Sequence, residues 1–110
     1  MWRVFERLFG RTPTADGWDV EIVIKGRGGP VIYVEGANRV EFDFELGDGG
    51  TIYCPPSKEW DQKFPWAAGR RTTIVERTAR EFVRREFCGY EFGFQDGRDD
   101  IISVRRRRDV

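Results

Sequence analysis

Residues 40–46, Val-Glu-Phe-Asp-Phe-Glu-Leu, alternate apolar and acidic side chains without a break. That is the period of a strand with one face in a core and the other outside it. The same alternation sets Trp18, Val20, Ile22 and Ile24 against Asp19, Glu21 and Lys25. Further strands are expected over residues 31–35 and 51–54, separated by Gly26-Arg27-Gly28-Gly29-Pro30, Gly36-Ala37-Asn38 and Gly47-Asp48-Gly49-Gly50. Connections this short make neighbouring strands antiparallel, so residues 18–54 read as a meander.

Pro55-Pro56 ends the sheet run, because proline cannot donate to a ladder. Residues 57–61 have room for one helical turn. The period then changes to that of a helix over about residues 70–87. Ile74, Val75, Thr78, Ala79, Phe82, Val83 and Phe87 share one face, and Glu76, Arg77, Arg80, Glu81, Arg84 and Arg85 the other. After Gly89, Tyr90, Phe92 and Phe94 alternate with Glu91, Gly93 and Gln95; Asp96-Gly97 signals a hairpin that residues 101–104 complete. At the start, Trp2, Phe5, Leu8 and Phe9 lie on one side of a short helix within residues 1–10, which must dock on its own domain, a membrane surface or another subunit. Residues 11–16 read as a linker and residues 105–110 as a basic tail. The expected fold is α+β: one domain over residues 1–110, an antiparallel meander sheet of five to six strands packed on one long helix, in the order α-β-β-β-β-α-β-β.

Composition adds two points. Aromatic residues are 15% of the 110, so the core is built from few but bulky groups. Lys plus Arg and Asp plus Glu both number 19, yet the balance is uneven along the chain. Residues 16–48 hold eight acids against three bases, and residues 61–110 twelve bases against nine acids. The sheet half is acidic and the helix half basic, which lets the halves attract one another and also lets the acidic face meet a basic partner.

Chemistry is sparse. There is no histidine, so the commonest general base is missing. Cys54 has no imidazole to activate it, and with Cys88 it reads as one of two reduced, mostly buried thiols. Glu41, Asp43 and Glu45 recur along a strand face at roughly 7 Å, and such solvated acids lack the burial that raises a pKa. Asp99-Asp100 is the other carboxylate pair that an acid–base or cation role would draw on. Gly26-Arg27-Gly28-Gly29 precedes a strand where a phosphate loop needs a helix. Arg105-Arg106-Arg107-Arg108 offers phosphate contacts, whereas the helical arginines alternate with Glu76, Glu81 and Glu86 as on a solvated surface. Residues 60–66 gather Trp60, Phe64 and Trp66; such a loop closes a core and can expose one tryptophan as an interface anchor.

The run Trp60-Asp61 and Pro65-Trp66-Ala67-Ala68-Gly69-Arg70-Arg71, with Ile74, Ile52-Tyr53-Cys54-Pro55 and Tyr33-Val34-Glu35, resembles a set of small bacterial single-domain proteins of no assigned activity, over roughly residues 30–90. Size, single-domain layout and acidic sheet also resemble immunity proteins, which neutralise polymorphic bacterial toxins. That likeness implies a cytoplasmic, non-enzymatic protein without cofactor or metal that binds a toxin domain of basic surface. From the residues themselves, Glu21, Glu41, Asp43 and Glu45 are the expected contacts, with Trp60 as anchor. The alternative is a nucleic-acid-associated or structural accessory protein using the arginine tail; self-assembly through a sheet edge is a third. The apolar runs, interrupted by charge from Arg3 onward, give neither a signal peptide nor a membrane span.

Overall fold

A computed structural model describes residues 17–107. The expected N-terminal helix, the linker and residues 108–110 lie outside the described residues. Strands β1 (Trp18–Ile22), β2 (Gly28–Glu35), β3 (Asn38–Leu46) and β4 (Gly50–Tyr53) lead to α1 (Ser57–Lys63), a 3-10 turn (Pro65–Ala67) and α2 (Arg71–Glu86), then to β5 (Tyr90–Phe94) and β6 (Ile101–Arg106). All strand pairs are antiparallel, in the order β1-β2-β3-β4-β6-β5, and the sheet curls into a half-barrel. The α+β class and the first four strands follow the hydrophobic period.

The inner face of the sheet and one side of α2 form the core. Val20, Ile22, Val31, Tyr33, Val40, Phe42, Phe44, Ile52, Ile102 and Val104 meet Ile74, Val75, Ala79, Phe82 and Val83. The apolar side of residues 40–46 thus faces the expected helix stripe, with the Phe44 and Phe82 rings 4.9 Å apart. Thr78, the polar member of that stripe, is 1% exposed, and its hydroxyl donates to the Ile74 carbonyl at 2.8 Å. Burial therefore leaves no orphaned donor there.

The structure corrects the sequence reading in four places. The glycine-rich turn after β1 is shorter than expected: Lys25 and Gly28 close it by mutual backbone bonds of 2.7 and 3.2 Å, and Gly28–Pro30 already belong to β2. Gly29 allows this, because its φ is +148° and a Cβ there would lie 2.0 Å from the Val23 carbonyl oxygen. A second helix, α1, replaces the single expected turn and is two turns long.

The final hairpin is also placed differently. It does not extend the meander through β5; β6 pairs with β4, and β5 becomes the edge. Ile102 and Val104 explain the choice, since they bury fully only between two neighbours, whereas β5 carries Glu91, Gly93 and the exposed Phe94. Finally, the basic tail begins later than residue 105. Arg105 and Arg106 are the last residues of β6, paired with Glu91 and Tyr90. Among the described residues, no helix is long and apolar enough to cross a membrane.

Candidate functional site: the outer face of the sheet

Alternation along β1, β2 and β3 decides which side chains share the outer face. Registers Glu21↔Ile32 and Ile32↔Glu41 set two carboxylates on either side of one isoleucine. Pro30↔Asp43↔Tyr53 forms the next row, and Glu45↔Thr51 the one after. Glu21, Glu41, Asp43 and Glu45 are therefore on one surface, as expected from the period. Glu41, Asp43 and Glu45 are exposed and Glu21 is half-buried. None of the four is within ion-pair distance of a cation among the described residues. Glu45 accepts a bond from the Tyr53 hydroxyl at 2.8 Å, which pushes the phenol of Tyr53 above its ordinary value.

The surface is not purely acidic. Ile32 is 5% exposed, and Val34 and Pro30 flank it on β2, while Tyr53 is 38% exposed beside Asp43. Of these groups only Tyr53 is of a type enriched at protein interfaces; the exposed carboxylates give the face its charge.

Trp60 is not part of this surface. It is 1% exposed, its indole N–H donates to the Ala67 carbonyl at 2.9 Å, and Phe64 packs on it at 4.8 Å. The expected anchor is a core residue that ties α1 to the 3-10 turn. Trp66, the other tryptophan of this segment, is half-buried.

Glu35 is not on this outer face. It lies in phase with Val31 and Tyr33, on the inner side, where α2 begins. Its carboxylate accepts bonds from Tyr33 at 2.6 Å and Arg70 at 2.9 Å, with Arg77 at 4.0 Å. Arg70 first, then Tyr33, hold Glu35 below the ordinary glutamate value. Burial, then the Glu35 bond, push Tyr33 upward. Arg77 donates to the Tyr33 hydroxyl at 2.8 Å and sits 4.9 Å over Trp18, which stacks on Tyr33. The hydrogen bonds of this network join residues up to 44 positions apart. Its only sequence signal is the odd phase of Glu35.

The remaining candidate groups are held in structural roles. Cys54 is 6% exposed, and burial pushes its thiol up to about 12, so it stays protonated. Cys88 is exposed, not buried as expected, and both cysteines are free. Asp99 lies below the ordinary aspartate range through a hydrogen bond from Ser57, and Asp100 through one from Arg98, opposite to the shift a general acid needs. Arg71 binds the carbonyls of Pro55 and Asp99, closing the hairpin loop on the end of β4. Of the arginine run, Arg105 is 3.8 Å from Glu91 and Arg106 lies 5.9 Å over the Tyr90 ring. No family model, curated protein or solved structure matches the chain.

Proposed function

We propose that this protein is a binding protein without catalytic activity, and specifically a cytoplasmic immunity protein that captures a basic toxin domain on the outer face of its sheet. One observation carries the reading. Glu21, Glu41, Asp43 and Glu45 are brought to one rigid surface by strand register, with Arg39 at one end of the β3 row and no ion pair to any of the four among the described residues. Fixed carboxylates of this kind steer a positively charged partner and hold it in register. Tyr53, 38% exposed, and the half-buried Pro30 supply apolar area among them, which charge alone lacks.

The test uses purified basic nuclease domains of bacterial toxins, titrated calorimetrically against the full chain. One is expected to bind tightly, with affinity that falls steeply as salt rises, and co-expression is expected to rescue growth. The triple variant Glu41→Lys, Asp43→Lys, Glu45→Lys is expected to keep its circular dichroism spectrum and lose both effects. Undiminished affinity in that variant would remove the outer face from the proposal.

A further inference from the structure

The sheet has two edges, β1 and β5, and the molecule treats them differently. At β1 the guanidinium of Arg85, 6% exposed, donates to the Val20 carbonyl at 2.6 Å and to Asp19 at 3.1 Å. A charged side chain buried against an edge blocks the addition of another strand. At β5 nothing comparable is present among the described residues.

The ladder shows which backbone groups β5 leaves open. Gln95 N–H donates to the Ile101 carbonyl at 3.0 Å. In the same register Gly93 and Glu91 bond toward Ser103 and Arg105, so Phe92 and Phe94 direct their N–H and C=O groups away from β6. Phe94 is 46% exposed, the most exposed of the large apolar side chains among the described residues.

Beside this edge runs a groove of about 380 Å³ between α2 and β5. Val83, Tyr90 and Phe92 give it apolar walls, and Arg80, Arg84 and Arg107 line it with charge. Its one carboxylate, Glu91, faces Arg105 at 3.8 Å. Arg84 is shared with Glu81 at 2.8 Å, whereas Arg80 and Arg107 have no acidic partner among the described residues.

We infer that the β5 edge and this groove bind an extended acidic segment of a partner protein, which adds to the sheet as a strand beside β5 and sets its carboxylates against Arg80, Arg84 and Arg107. Main-chain bonds to Phe92 and Phe94 provide the docking, and the groove selects side chains, as in other strand additions. A second copy of this chain offers no excess of carboxylates to Arg80, Arg84 and Arg107, because its own β5 carries Glu91 alone and that residue already faces Arg105. A single nucleic-acid strand suits the arginines and aromatic rings, but has no counterpart for alternating amide and carbonyl groups along a strand edge. This surface is separate from the acidic outer face and does not depend on it.

The probe is a fluorescein-labelled octapeptide alternating Glu and Val, followed by anisotropy with the full chain; its Lys-Val counterpart is the control. Saturable binding of the acidic peptide is expected, weakening at least about tenfold between about 50 and 300 mM salt, with none for the basic one. Amide exchange should slow at Phe92 and Phe94. Arg80→Glu with Arg107→Glu should weaken binding at least about tenfold. So should Phe94→Pro, which removes an outward N–H and leaves the β5–β6 bonds intact. The outer-face triple variant should retain peptide binding. The inference is overturned by failure to saturate at millimolar peptide or by equal binding of the basic peptide. It is also overturned if an oligouridylate binds more tightly at the same residues, or if the free protein sediments as a dimer with Phe92 and Phe94 already protected.

Discussion

Glu35 shows how one residue's role depends on what arrives from elsewhere in the chain. Its carboxylate is held by Arg70 and Tyr33, with Arg77 nearby, and its pKa lies below the ordinary value of 4.5. A depressed carboxylate stabilises the fold above its unfolded pKa, and that contribution disappears as pH falls through the folded value. The side chains of Glu35 and Arg70 are 29% and 36% exposed, so screening limits the gain to about 1 kcal/mol. Glu35→Gln is therefore expected to lower stability by about 1 kcal/mol at neutral pH, with the gap closing as pH drops below about 4.5. Urea denaturation of both proteins across that range checks it; a gap independent of pH would contradict the assignment. Glu35 is in phase with the buried Val31 and Tyr33 on β2, yet no local pattern names Arg70 or Arg77 as its partners. Trp60 was ambiguous for the same reason. Three aromatics in one loop do not reveal which is sealed, and the Ala67 carbonyl that receives its N–H is fixed only when the 3-10 turn forms.

At the scale of elements, the hydrophobic period assigned faces well and neighbours less well. It identified the inner sides of β1 to β4 and the stripe of α2, because burial on one face imposes a period on the chain. It did not say that β6, and not β5, would join β4, since either order satisfies the same alternation. Apolar content decides that order, with Ile102 and Val104 filling the interior position. Arg85 is the instructive exception on α2. Helical spacing puts it among solvated charges, but its guanidinium is 6% exposed and bridges Glu81 at 3.0 Å, Asp19 at 3.1 Å and the Val20 carbonyl. Losing it uncouples α2 from β1, leaves the two partly buried carboxylates without this cation, and opens the strand edge. Arg85→Ala is expected to cost roughly 3 kcal/mol or more, the range for breaking a buried charge network, and to increase association at high protein concentration. Thermal unfolding and light scattering together measure it. A loss under about 1 kcal/mol would mean that the bridge adds little beyond solvated charge.

At the scale of the whole molecule, the acidic sheet half and basic helix half do attract one another, but only through particular groups. Asp19 and Glu35 meet arginines of the helical half, while Glu41 and Asp43 have no such partner among the described residues. Charge segregation along the sequence thus divides into an internal part, used in folding, and an outer part that forms no ion pair among the described residues. Two carboxylates at i and i+2 on one strand face lie about 7 Å apart, which in water is a repulsion of about half a kcal/mol before screening. Glu21, across Ile32 in the same row, adds a smaller contribution. Arg39, at i−2 on the same face, offsets the Asp43 contribution, so Glu41→Lys gains only from the more distant Glu21 and Glu45 and is expected to raise stability by a few tenths of a kcal/mol at low ionic strength. The gain should fade in molar salt, where the Debye length is about 3 Å. The same change should weaken capture of a basic partner, because it reverses a charge at the centre of the proposed contact surface. Stability and binding are then expected to move in opposite directions, as at sites where function retains residues that folding alone does not favour. Urea midpoints at low and high salt, set beside calorimetric affinity, read both. If Glu41→Lys instead destabilises the chain, the carboxylate serves the fold and the outer face loses its claim as a binding surface.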